Sequence, residues 1–292
     1  MDIGLLLIAT GKYDVFVQPL IDSVEKHFFK NDTVIVTIFT DVARDYNHSS
    51  RLVIKQILYP HTAFPYATLY RYKKFTECAI FIDTKTKYLF YCDVDMLFVG
   101  DVGYEILPDH ILHGGLVAVQ HPGFVAGGWG SPNVNVESTA YVAEEWRGQY
   151  LAGGFQGGTR EDYLKMASEL DKNIDIDEAN GIMAEWHDES HFNAYFYGQE
   201  NRVPPLILPH QYCMADTNIV GETKLLALSK EVKIVVDDKS KYTDWNIRED
   251  IKAELKVDLI ILLDKHGYPP ITKDDVYKEI FEQAENFKKF RQ

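Results

Sequence analysis

A chain of 292 residues with 46% hydrophobic and 13% aromatic side chains can bury the core of one large α/β domain, or of one domain with an appendage. Its net charge of −14 argues against a nucleic-acid backbone or an anionic membrane as a partner, while leaving room for a small anion received by a metal or a local cation. Cys78, Cys92 and Cys213 make no disulfide framework, no apolar run approaches a membrane span, and no signal peptide is legible, so the chain reads as soluble and cytoplasmic.

Ile3 to Ala9 is an apolar run suited to a central parallel strand, ending at Thr10-Gly11-Lys12-Tyr13. Phe16, Leu20, Ile21 and Val24 follow at helical spacing, with Asp14 as the expected cap. Strands are predicted over Thr33 to Phe39 and Leu52 to Leu58, then a helix around Leu69 to Ile82 and a strand from Tyr88. The alternation predicts a parallel, Rossmann-like sheet through about residue 100, with ligands at the carboxyl ends of its strands. Leu116 to Gln120 is a further strand, Gly123 to Pro132 a loop, and Thr159 to Leu170 and Glu189 to Tyr197 are helices. Gly153, Gly154, Gly157 and Gly158 lie in a segment expected to open the first of those helices. Beyond Glu222 the chain is more charged and ends in a predicted helical tail, Asp274 to Gln292.

The most informative stretch is Tyr88-Leu89-Phe90-Tyr91-Cys92-Asp93-Val94-Asp95-Met96-Leu97-Phe98. Two carboxylates emerge from an apolar run, and a buried unpaired carboxylate is costly, so the pair calls for a cation, a base or solvent. On an extended chain, residues two apart point the same way, which lets Asp93 and Asp95 converge. Two hard oxygen donors suit Mg2+ or Mn2+, while a strand ending in a solvated acidic turn is the plainer alternative.

Four further segments accompany the pair: His121-Pro122-Gly123-Phe124, Tyr150-Leu151-Ala152-Gly153-Gly154-Phe155-Gln156-Gly157-Gly158, Asn180-Gly181 before Trp186-His187-Asp188-Glu189-Ser190-His191, and Arg71 on the preceding helix. In this order, over about residues 3 to 216, they resemble the family 6 glycosyltransferases, the group that contains the blood-group A and B transferases.

The resemblance implies a GT-A fold, an α/β architecture whose catalytic domain would cover 1–216. Residues 1–100 would form its nucleotide-binding half and 101–216 its acceptor half, with 217–292 an extension. It also implies retaining transfer from a UDP-sugar to a galactoside hydroxyl, the acceptor fucosylated in some members, usually through an α-1,3 link. Asp93 and Asp95 would hold Mn2+, or Mg2+, across the diphosphate. Ile8, Ala9, Tyr13, Arg71, Val94, Ala152, Gly153, Gly154, His187 and Asp188 would contact the donor, with Tyr13 stacking on uracil. Glu189 would be the catalytic carboxylate, a nucleophile or a stabiliser of an oxocarbenium-like state. His121, Trp186 and Asp216 would face the acceptor. Gly154, with small Ala152 beside it, tilts the expected donor toward UDP-N-acetylgalactosamine rather than UDP-galactose.

Plainer readings remain beside these. Arg71 alone reads as a helix-surface salt bridge, Trp186 as a core tryptophan, His121 as turn chemistry and the glycines as close packing. Pro132 to Glu137 holds no arginine where animal members carry a pair, which leaves the acceptor open. Lys288, Lys289 and Arg291 could supply the basic tail that family members close over the diphosphate, while an amphipathic appendage is the plainer reading of that helix. A haloacid-dehalogenase-type phosphatase using Asp237-Asp238 as a second acidic pair, and a non-catalytic nucleotide-sugar-binding protein, are the rival functions.

Overall fold

The computed structural model describes residues 2–82, 84–125, 130–198, 202–215 and 223–227. Its first half runs β1 (Asp2–Ala9), a 3-10 turn (Gly11–Phe16), α1 (Val17–His27), β2 (Thr33–Thr40), β3 (Leu52–Leu58), α2 (Tyr66–Leu69), α3 (Arg71–Glu77), β4 (Tyr88–Cys92) and β5 (Met96–Phe98). The second runs α4 (His110–His113), β6 (Leu116–Gln120), β7 (Leu151–Thr159), α5 (Arg160–Ala179), α6 (His187–Tyr197), β8 (Leu206–Leu208), β9 (Met214–Ala215) and β10 (Leu225–Ala227).

Seven strands form one sheet in the order β3-β2-β1-β4-β7-β6-β8, mixed but mostly parallel, as in a GT-A fold. β1 is apolar at almost every position because both faces are covered. Ile3, Leu5, Leu7 and Ala9 pack with Leu20, Ile21 and Val24 of α1, whereas Leu6 faces Tyr72 and Phe75 of α3 and Met166 of α5. A second, three-stranded sheet, β5-β10-β9, carries the chain past the acidic pair.

The strand order reverses at β1, which lies between β2 and β4, so a crevice opens at the carboxyl ends of β1 and β4. β7 runs antiparallel to β4 and pairs Phe155 with Cys92, which brings Gly153 and Gly154 to the same edge as Asp93.

Several expectations change. The glycine segment is strand β7, and α5 starts only at Arg160, capped by the Thr159 hydroxyl. Glycine is normally poor in strands, but a Cβ on Gly157 would lie 2.3 Å from Phe90 Cδ1 and one on Gly158 2.3 Å from the Gly115 carbonyl, so close strand packing demands both. Of the helix predicted over Leu69 to Ile82 only α3, Arg71–Glu77, is helical beyond Leu69, which ends α2; residues 78–82 are turn and bend. Asp14 caps nothing; its carboxylate instead accepts from the Tyr46 hydroxyl at 2.7 Å and pairs with Arg44. The tail from Asp274, the cations Lys288, Lys289 and Arg291, and Asp237-Asp238 lie outside the described residues, as does part of the loop from Gly123 to Pro132. Among the described residues no helix is long and apolar enough to cross a membrane.

Candidate active site

The crevice holds a cavity of about 200 Å³. Ile8, Thr10 and Tyr13 line it from β1 and the turn that follows, Tyr91 from β4, Asp93, Val94 and Asp95 from the segment just after β4, and Arg71 from α3. The acidic pair is not on an extended strand. Residues 94 and 95 form a turn closed by the Met96 amide donating to the Asp93 carbonyl at 3.2 Å, and this turn sets both carboxylates into the cavity.

Arg71 is the hub. It is only 4% exposed, so the surface salt-bridge reading fails. Its Nη1 donates to the Gly153 carbonyl at 2.5 Å and its Nη2 to Asp93 Oδ1 at 3.3 Å. Its Nε lies 3.0 Å from Asp188 Oδ2, an ionic contact too poorly aligned to be a hydrogen bond. The guanidinium also stacks 4.3 Å above the Tyr91 ring, and the Tyr91 hydroxyl donates to Asp93 Oδ1 at 2.5 Å. A planar, permanently charged fork suits a site in which β4, β7 and α6 must all be tied to one point.

Asp188 and Glu189 occupy the first turn of α6, where the helix dipole favours acids. His187 precedes them with a φ of 49°, a left-handed conformation uncommon outside glycine. Asp188 is buried, and burial pushes its pKa up to about 6 against the pull of Arg71. Glu189 is partly buried, and burial pushes its pKa up to about 7; the Gly153 amide, donating to Oε2 at 2.8 Å, opposes that rise and Asp188 adds to it. Gly153 thus binds Arg71 with its carbonyl and Glu189 with its amide, so the cationic hub and the carboxylate are locked to one peptide pair.

The raised pKa of Glu189 has a stability consequence. Between 4.5 and about 7 the folded chain holds a proton there that the unfolded chain has lost, so stability falls as pH rises through that window. Glu189→Gln removes this loss. In urea unfolding the variant is expected to exceed wild type by about 1–2 kcal/mol at pH 8, discounted for residual solvent contact, with the gap closing by pH 4. A gap that does not change with pH would contradict this.

The remaining candidates divide. Ile8, Tyr13 and Val94 line the cavity, but Ala9 turns its side chain to the opposite face, into the core with Leu7. Tyr13 sits beside both acids: burial first, then the charges of Asp95 and Asp93, raise its pKa, which keeps the phenol neutral. Gly154 accepts from the Asp93 amide at 2.9 Å. A Cβ on it would stand 3.1 Å from Asp93 Oδ2, 3.2 Å from Cys213 Sγ and 3.3 Å from Met96 Sδ, so the bare backbone first of all lets the carboxylate approach. Ala152 lies on the same strand face and is buried. The His187 ring meets Phe64 edge-on at 5.2 Å. Trp186 is 50% exposed, so it is not a core tryptophan. His121 packs against Tyr150 at 5.6 Å between ring centres, and its Nδ1 accepts from the Gly123 amide, as turn chemistry predicts. Asp216 lies outside the described residues.

Sequence reading missed Tyr91, Tyr150 and Cys213. Tyr91 was signalled by its spacing, two before Asp93 on one strand face. The Tyr150 hydroxyl is buried near Glu189, which raises its pKa, and carried no signal.

The donor set fits a divalent cation. Two carboxylates face one cavity, and Asp93 Oδ2 borders the space that Gly154 leaves bare. The remaining positions of a hard cation would fall to water and phosphate oxygens, as Mg2+ sites commonly arrange. Among the described residues no group of three or more His, Cys, Asp or Glu is placed to hold a metal.

Comparison with known proteins agrees with this geometry. The family model for glycosyltransferase family 6 matches residues 1–243. A second model, for the C-terminal part of type I restriction enzyme HindI endonuclease subunit-like proteins, matches residues 212–290, mostly outside the described residues. Histo-blood group ABO system transferase 1 of Rattus norvegicus is 29% identical over 80% of this chain and 66% of its own length. Globoside alpha-1,3-N-acetylgalactosaminyltransferase 1 of Canis lupus familiaris is 31% identical over 74% of this chain and 62% of its own. O-antigen biosynthesis glycosyltransferase WbnI of Escherichia coli is 25% identical over 82% of this chain and 96% of its own. The chain therefore spans just under two thirds of the length of these animal relatives. With most of its residues matched by the family model and its acidic pair, arginine hub and Trp-His-Asp-Glu segment gathered at one sheet edge, the chain belongs to glycosyltransferase family 6.

Proposed function

We propose that this protein transfers N-acetylgalactosamine, in preference to galactose, from its UDP conjugate to a galactoside hydroxyl, with retention and an α-1,3 link. The observation that carries the reading is the Arg71 hub, which ties Asp93, Asp188 and Gly153 together, with Glu189 fixed on the Gly153 amide. Asp93, one of the two carboxylates proposed to hold the cation, and the candidate catalytic carboxylate are thus linked through Arg71 and Gly153. Asp93 and Asp95 would hold Mn2+ or Mg2+, which when bound would neutralise charge on the diphosphate.

Transfer breaks the bond between the anomeric carbon and the β-phosphate oxygen, and the electron pair leaves with UDP. Glu189, ionised, either bonds to that carbon or stabilises the positive charge growing on it. The acceptor oxygen then bonds to the carbon, breaking the Glu189–carbon bond where one has formed and releasing the carboxylate, and its proton passes to an oxygen of the departing phosphate. Asp188, held against Arg71, would grip sugar hydroxyls, and exposed Trp186 would offer a flat apolar surface to an acceptor sugar. Small Ala152 and Gly154 support the N-acetylgalactosamine reading, as do the names of the globoside relatives. A fucosylated galactoside is the acceptor to try first, because the ABO transferases are among the relatives. Membership of family 6 leaves the phosphatase alternative without ground.

UDP release from UDP-N-acetylgalactosamine and UDP-galactose, in Mn2+ or EDTA and with or without a fucosylated galactoside, tests the reading. Metal-dependent, acceptor-stimulated turnover that favours N-acetylgalactosamine is expected, with loss of at least about tenfold in EDTA. Preference for UDP-galactose would overturn the donor, undiminished turnover in EDTA the metal role, and no turnover of either donor the reading as a whole.

A further inference from the structure

His61 lies on the loop between β3 and α2, carries no motif, and lines the same cavity as Tyr13. Its imidazole is held in place. Nδ1 lies 3.0 Å from the hydroxyl of buried Thr10, and the ring lies over Gly11, where a Cβ would stand 3.0 Å from both Cε1 and Nδ1. Gly11 has a φ of 62°, and its amide donates to Asp41 Oδ1 at 2.9 Å, so the backbone beneath the ring is itself fixed. An exposed rim histidine with no ligand to meet would not need this seating.

The cavity lining combines two kinds of group: charged Arg71, Asp93 and Asp95, and the apolar or aromatic side chains of Ile8, Tyr13 and Phe64. A nucleoside diphosphate needs both, and with the acids and their cation taking its phosphates, its base belongs against the Tyr13 ring and His61, which sits over Gly11 two residues before Tyr13. A second polar group waits there: the Thr62 hydroxyl oxygen is buried in the cavity lining without a hydrogen-bond partner.

We propose that His61 selects the base of the donor nucleotide, its Nε2–H donating to a carbonyl oxygen of uracil. In this assignment the Thr10 hydroxyl, 3.0 Å away, donates to Nδ1, which puts the ring proton on Nε2. Uracil and cytosine differ in that one presents a carbonyl where the other presents an amine. A fixed donor therefore favours uridine over cytidine, because the wrong base leaves it unpaired. The inference rests on the UDP-sugar reading and adds to it the residue that reads the base.

Calorimetric titration of UDP and CDP in Mn2+ buffer, into wild type, His61→Phe and Thr10→Val, tests it. Wild type is expected to bind UDP at least about tenfold more tightly than CDP. His61→Phe keeps a ring against Gly11 but has no N–H, and is expected to lose about tenfold in UDP affinity with CDP unchanged within about twofold. Thr10→Val, which frees the ring, should lie between them. An unchanged UDP-to-CDP ratio in His61→Phe overturns the assignment of His61. Wild type that binds neither nucleotide overturns the UDP reading instead. His61 is exposed, so loss of fold in His61→Phe is not expected, and an altered ratio in Thr10→Val supports the assignment independently.

Discussion

Glu189→Gln is expected to cut transfer by about three orders of magnitude or more, roughly 4 kcal/mol of transition-state stabilisation, while UDP binds as it does to wild type. The substitution keeps the side chain's size and the acceptor for the Gly153 amide, so the peptide pair that also binds Arg71 stays in place. Only the capacity to become an anion is lost. With its pKa pushed up to about 7, the carboxylate is partly protonated at neutral pH, so kcat/KM in wild type should rise with pH through that value. Rates in a pH series, with UDP affinity alongside, check both points. A variant with near-normal transfer would remove Glu189 from the chemistry and leave it a fastener for Gly153.

Arg71→Ala is expected to cost about 3–5 kcal/mol of folding stability, because it strands a buried carboxylate. Asp188 loses its cation, Gly153 loses the donor to its carbonyl, and Asp93 keeps only the Tyr91 hydroxyl of its two side-chain donors on Oδ1. Arg71→Lys should recover part of the stability but little of the transfer, since an ammonium cannot span three acceptors in the plane of a fork. Urea unfolding beside transfer assays separates the two effects. If Arg71→Ala unfolds within about 1 kcal/mol of wild type, the hub is not holding the edge together.

What the sequence could reveal here depended on whether chemistry or distance set the outcome. β2 and β6 were legible because apolar runs of their length are buried strands whatever their neighbours do, and β3 because its branched side chains suit a strand even where it is half-buried at the sheet edge. Asp93 and Asp95 stood out by residue type, but the turn that aims them did not, since nothing in Asp-Val-Asp distinguishes extended chain from a turn. Strand β7 hid because its glycines satisfy a need of Phe90 and Gly115, residues distant in the chain. Arg71 and Lys74 were illegible as buried groups, because three cations on a seven-residue helix, Lys73 being the third, read as a surface face. Arg71 goes inside only because Asp93, Asp188 and the Gly153 carbonyl come from three other elements. His61 left no trace at all. Its seat on Thr10 and Gly11 exists only once β1 and the loop after β3 meet.

The most direct test of the account is the stereochemistry of the sugar product. UDP-N-acetylgalactosamine, whose anomeric link is α, would be supplied with Mn2+ and a fucosylated galactoside, and the new anomeric proton observed by NMR early in the reaction. The arrangement of Glu189 on Gly153, beside the Arg71-tied Asp93, predicts an α-linked product, formed by wild type and abolished in Glu189→Gln. A β-linked product would mean that a single inverting displacement occurs at this edge, and the role given to Glu189 would be wrong.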